Sequence, residues 1–189
     1  MAEQASRRNV IGRLRVLARL AVVGAMVMCA SVFTGGVAHA ATFSHVTNRG
    51  TGLCLDAVNG DDGITLLLVH CFNVSNEGWS RNPVAKVTDH RSGGCMCEYW
   101  AYDLVNQGSG KCATAIVGST TVTQATCDTS NTLQWWRDIA VTLNGGSLVH
   151  LLLNETGGCL EAPSGSVDGS PVELGTSGCG GTATKQWTY

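Results

Sequence analysis

The sequence predicts an all-β fold made of three copies of one segment and braced by disulfides. The first observation is internal repetition. Thr51-Gly52-Leu53-Cys54-Leu55-Asp56-Ala57 recurs as Ser109-Gly110-Lys111-Cys112-Ala113-Thr114-Ala115 and again as Thr156-Gly157-Gly158-Cys159-Leu160-Glu161-Ala162. Each copy follows an apolar stretch and an asparagine (Asn48, Asn106, Asn154), meets a second cysteine (Cys71, Cys127, Cys179) and closes on a tryptophan (Trp79, Trp136, Trp187). The second observation is local pattern. Short apolar or Thr-rich runs alternate with Gly, Asn, Asp and Ser clusters, and no helical period is sustained. The third is an even set of eight cysteines after residue 40, which in an exported chain reads as a disulfide framework.

Taken in order, residues 1–40 read as a signal peptide. Arg7, Arg8, Arg13, Arg15 and Arg19 form a basic start, Leu20–Val37 is apolar or small, and Ala38-His39-Ala40 supplies a small-x-small cleavage pattern. Ser31, Thr34, Gly35 and Gly36 interrupt the apolar run short of the roughly 18–20 residues of a membrane span. Ser6-Arg7-Arg8-Asn9-Val10-Ile11 loosely resembles a twin-arginine signal, which leaves Sec and Tat export both open. Cys29 lacks a lipobox and is discarded with the signal. The expected product is extracellular, residues 41–189, with no membrane span.

Five of the 12 basic residues precede residue 41, against one of the 14 acidic ones, so seven basic and 13 acidic residues remain. That balance excludes nucleic acid and anionic membrane as partners, because both select basic patches.

Within 41–189 the expected repeats span 41–84, 98–140 and 141–189, with an insertion at 85–97. Ile64–Val69, Ser119–Thr126 and Leu148–Leu153 read as strands. Asn59-Gly60 and Asp168-Gly169 read as turns. The glycine two places before each first cysteine allows a backbone geometry that a side chain would block. Pairing neighbouring cysteines closes one hairpin-sized loop per repeat: Cys54–Cys71, Cys112–Cys127 and Cys159–Cys179, each contributing about 3 kcal/mol. Cys95 and Cys97 then pair by elimination, through a bend, since residues two apart in extended chain sit awkwardly for a disulfide. A metal held by His90, Cys95 and Cys97 is the alternative; it lacks a fourth ligand, and no metal or cofactor is expected.

These repeats resemble those of the ricin-type β-trefoil lectins, with their threefold Cys-Leu-Asp and Gln-x-Trp pattern, and most of all the secreted actinobacterial modules of that type. The resemblance implies a barrel of six strands capped by three hairpins, one lobe per repeat. It implies that each closing tryptophan is a core residue and that the Gln two places earlier ties the backbone of its lobe. The pattern is uneven here: Gln134-Trp135-Trp136 keeps it, whereas the first repeat has Glu77-Gly78-Trp79 and the third has Lys185-Gln186-Trp187.

By the same resemblance, sugar hydroxyls bond an Asp just after the first cysteine and an Asn three before the Trp, while an aromatic before the second cysteine stacks on the ring. A sugar needs both, because its vicinal hydroxyls want fixed partners and its C–H face suits an aromatic platform. Carried over, the first lobe has Asp56 and Asn76, with Val69 at the aromatic position and Leu67 at a further Gln position. His70 or Phe72 stands in for the missing platform. The second lobe has Thr114 and Ala125 and is expected to be inactive. The third has Glu161, with Glu173 near the Gln position and Gly175 or Ser177 at the aromatic one, and is expected to be inactive or altered.

The implied function is a weak, non-catalytic carbohydrate-binding module for a galactose-type or other glycan, with Asp56, Asn76, His70 and Glu161 as its candidate contacts. The alternative is a protein-interaction trefoil (an inhibitor, accessory chain or toxin subunit) using the insertion and the aromatic group Tyr99, Trp100 and Tyr102. Catalysis is not expected: the chain has no Gly-x-Ser-x-Gly, no His-Glu-x-x-His and no paired carboxylates in a recognisable cleft. Asn73-Val74-Ser75 and Asn154-Glu155-Thr156 match the glycosylation acceptor pattern, expected to stay bare in a bacterial product.

Overall fold

A computed structural model describes residues 42–89 and 97–189. The expected signal peptide, His90 and Cys95 lie outside the described residues. Within them the fold is all-β, as expected. The first lobe holds β1 (Ser44–His45), β2 (Thr47–Asn48), β3 (Cys54–Asp56), β4 (Leu67–Val69) and the start of β5 (Gly78–Asp89). The second follows with β6 (Cys97–Asn106), β7 (Cys112–Ala115), β8 (Val122–Ala125) and β9 (Trp135–Thr142). The third has β10 (Leu148–Asn154), β11 (Cys159–Glu161), β12 (Ser170–Pro171), β13 (Glu173–Gly175) and β14 (Trp187–Thr188). A single 3-10 turn precedes each closing tryptophan: Ser75–Glu77, Thr132–Gln134 and Ala183–Lys185.

The repeats fold alike because the same residues do the same work. Trp79, Trp136 and Trp187 are fully buried. Each indole N–H donates to the carbonyl just after the first cysteine: Leu55 at 2.9 Å, Ala113 at 3.0 Å and Leu160 at 2.9 Å. That satisfies the polar edge of a ring whose body fills the core. Gly52, Gly110 and Gly157 all take positive φ, at 72°, 68° and 99°, which confirms the turn read from the sequence.

Three buried asparagines join the lobes into a ring. Asn48 reaches the carbonyls of Thr184 and Gln186 in the third lobe. Asn106 reaches those of Asn76 and Gly78 in the first, and Asn154 those of Leu133 and Trp135 in the second. Each carboxamide oxygen meanwhile accepts from the turn that follows it, for example from Gly108 and Ser109 at 3.0 Å. The hairpins β3–β4, β7–β8 and β11–β13 close over this ring. Around the centre the Leu66 N–H donates to the Val122 carbonyl and the Val172 N–H to the Leu66 carbonyl. Leu66, Val122 and Val172 are all fully buried there.

Two positions depart from the threefold pattern. Two places after each core tryptophan stand Arg81, Asp138 and Tyr189. Arg81 pairs with Asp138 and stacks 4.1 Å over the Tyr189 ring, while His150 Nδ1 lies 2.7 Å from Asp138. The other departure is the hairpin β5–β6. Its strands run 12 and 10 residues, against eight and seven in β9–β10. The described part of the expected insertion, residues 85–89 and 97, continues the paired strands out to Asp89↔Cys97. A register shift between Pro83 and Ala85 falls where proline has no N–H to give the ladder.

The three predicted within-repeat disulfides are present, with Cα separations of 5.2, 5.0 and 5.5 Å. Cys97, the first residue of β6, is exposed with a free thiol; its expected partner Cys95 lies outside the described residues.

Candidate functional site

Asp56 ends β3 with its side chain 3% exposed, and its Oδ2 accepts from Asn76 Nδ2. The 3-10 turn Ser75–Glu77 positions Asn76, whose carbonyl is held by Ala57 N–H and by Asn106 Nδ2. Two of the four expected contacts are thus brought together. Burial, and secondarily the neighbouring Glu77, pushes the Asp56 carboxyl up to about 6. Antiparallel pairing sets Leu67 opposite Asp56 and Val69 opposite Cys54, so the wall beside the acid is aliphatic.

His70 goes elsewhere. Its N–H donates to Asp168 Oδ1 at 2.8 Å and its Nδ1 lies 3.2 Å from the same oxygen. Its ring centre is 6.5 Å from that of Phe72. The side chain therefore ties the first lobe to the turn of the third. Phe72 is 69% exposed, on a loop whose Phe72 and Asn73 N–H groups are clamped by the buried carboxylate of Glu77.

In the other lobes the acid position is satisfied internally. Thr114 donates to the Cys112 carbonyl at 2.9 Å and accepts from Gln134 Nε2 at 3.1 Å. Glu161 accepts from Thr184 at 3.0 Å and lies 3.6 Å from Lys185 Nζ. Lys185 is buried and also donates to Ser177 Oγ and to the Gly178 carbonyl. A Cβ on Gly175 would meet the Glu161 carboxylate and Lys185 Cε, so a side chain at that position would have to displace the Glu161–Lys185 pair. Lys185 occupies the space beside Ser177, the other candidate.

One rule unites the lobes that sequence reading treated as departures from a motif. The residue at the Gln position faces the residue at the acid position: Glu77 with Asp56, Gln134 with Thr114, Lys185 with Glu161. The first pair is like-charged, the second neutral and hydrogen-bonded, the third oppositely charged. The matching chemistry of Glu161 and Lys185 was the available signal. Only the first lobe leaves an acid without a neutralising cation at this position.

His45, Cys54 and Glu77 bring ligand atoms within 4.8 Å of one another. Cys54 is bonded to Cys71, and a disulfide sulfur is no thiolate ligand. Asn154, one of the two acceptor-pattern asparagines, is 1% exposed with its carboxamide fully engaged, which removes it as a modification site.

Comparison with known proteins agrees with this architecture. Residues 94–175 match the family described as ricin-type beta-trefoil lectin domain-like. The designed threefold-symmetric protein ThreeFoil is 25% identical, with a TM-score of 0.57 over 77% of this chain and 95% of that one. An agglutinin of Rhizoctonia solani is 14% identical, with a TM-score of 0.55 over 79% of this chain and 94% of that one. SeviL, solved bound to asialo-GM1 saccharide, is 15% identical, with a TM-score of 0.51 over 78% and 95%. No curated protein matches the chain.

Proposed function

We propose that this chain, whose residues 94–175 match the family described as ricin-type beta-trefoil lectin domain-like, is an exported, non-catalytic carbohydrate-binding protein whose first lobe contacts the glycan. The single observation that carries this reading is the Asp56–Asn76 pair. It offers a carboxylate acceptor and a fixed amide, the polar set that vicinal hydroxyls need. Asp56 lacks the cation that neutralises Glu161. Three bonded cysteine pairs support an oxidising compartment.

The binding is weak, because an aliphatic wall of Leu67 and Val69 replaces a stacking ring and the second and third lobes add no avidity. It is also pH-dependent: Asp56 accepts from sugar hydroxyls best when ionised, and its carboxyl titrates at about 6. A glycan-array screen of the oxidised protein at pH 7.5 and pH 5 tests this. Binding to neutral glycans that weakens at pH 5 supports it, and silence from protein shown to be folded overturns it.

A protein partner is the second reading, favoured by Trp100, which is 48% exposed on the long β5–β6 hairpin. Trp100→Ala leaves glycan binding unchanged if that ring serves a separate surface.

A further inference from the structure

The three lobes allow an internal comparison. Any residue the fold requires should recur at the equivalent place in each. Arg137 directly follows a core tryptophan, where the other lobes have Ser80 and Thr188. Glu155 directly follows a ring asparagine, where the others have Arg49 and Gln107. Tyr99 comes from the lengthened hairpin. The fold therefore dictates none of the three, yet the structure gathers them at one place.

They line a cavity of about 240 Å³ together with Leu153, Asn154 and Cys179. Tyr99 Oη donates to Glu155 Oε1 at 2.6 Å, and the Arg137 guanidinium stacks 4.1 Å over the Tyr99 ring. The stack fixes the plane of a fork-shaped donor, and the phenol fixes the carboxylate. The charged residues that line the cavity, Arg137 and Glu155, are of opposite sign. A carboxylate that accepts several hydroxyl protons, a guanidinium that donates to hydroxyl oxygens, and apolar surface from Leu153 and the disulfide suit a neutral polyol ring.

We propose that this cavity is a second carbohydrate site, for one neutral pyranose, formed between the base of the long hairpin and the third lobe. It rests on the reading of the protein as a glycan binder, but it shares no residue with the first-lobe site. For a single pyranose trading hydration for a few hydroxyl contacts, the expected affinity is about millimolar. A bound glycan could occupy it as a subsidiary contact while another residue engages Asp56.

Amide-shift mapping by NMR tests this with the oxidised, isotopically labelled protein and methyl galactoside or methyl glucoside as the probe. Saturable shifts at residues 153–157 and 137 are expected. They should survive Asp56→Ala, and the affinity should fall at least about tenfold in Glu155→Gln, which removes a charge-assisted acceptor. Glutamine still accepts from Tyr99, so the variant keeps the cavity closed at that corner. If these residues serve only as a clasp for the hairpin, the wild type gives no saturable shift there, and that overturns the site. Shifts confined to residues 54–57 and 76–77 overturn this site and leave the first-lobe reading standing. Shifts at neither place overturn both.

Discussion

Asp56 lies beside a second buried acid, and that neighbour shapes its chemistry. Glu77 is 1% exposed and is kept there by the Phe72 and Asn73 N–H groups it accepts. Its charge adds to burial in raising the Asp56 carboxyl to about 6. Glu77→Gln keeps one acceptor for those N–H groups and removes the like charge. The Asp56 titration, followed by carboxyl-carbon NMR, should move down toward the ordinary range, and glycan binding should persist to lower pH. Asp103 presents a related case away from the site. Its side chain is 3% exposed, its Oδ1 has no hydrogen-bond partner among the described residues, and burial, then Asp128, raises its carboxyl to about 6. The folded value lies above the ordinary 3.8, so the folded protein keeps a proton that the unfolded chain gives up. The stability this carries is full below about pH 4 and is lost as pH rises through about 6. Asp103→Asn should therefore raise stability at pH 7.5 by on the order of 1 kcal/mol. It should also flatten the thermal-unfolding profile between those pH values.

At the scale of elements, the ring of asparagines does what strand pairing alone does not. Asn106 is fully buried, donates to two carbonyls of the first lobe and accepts from its own turn. Asn106→Ala leaves those buried groups unpaired, at about 1–3 kcal/mol for such a group, and chemical denaturation should show a loss of at least about 2 kcal/mol. Breaking Cys112–Cys127 by paired serine substitution should cost about 3 kcal/mol, with the fold retained, because the Trp136 indole still fills its place. The recurrent parts of these elements were legible in the sequence. Cysteines, glycines, asparagines and tryptophans repeat in order, and each repeats because one local geometry demands it. Strand limits were less legible. Ile64–Val69 reads as one strand, but only Leu67–Val69 pairs as one with β3, while Ile64 and Leu66 turn to bond with the second lobe.

For the whole molecule, the candidate site was legible only where it follows the repeat. Asp56 and Asn76 occupy positions the resemblance names, and the fold joins them. Contacts that cross between lobes left no local trace. His70 meets Asp168 from 98 residues away, and Tyr99 meets Glu155 from 56. Lys185 looks like a broken motif until the fold sets it against Glu161. A threefold scaffold thus carries asymmetric chemistry at one position: a like-charged pair in the first lobe, a neutral hydrogen-bonded pair in the second and an ion pair in the third. Binding to immobilised glycan at pH 7.5, compared among wild type, Asp56→Ala and Glu161→Ala, tests that asymmetry most directly. The account predicts at least about a tenfold loss for Asp56→Ala, as expected for removing a charged hydrogen-bond acceptor, and little change for Glu161→Ala. Full binding by a folded Asp56→Ala protein, or its loss in Glu161→Ala alone, would contradict it.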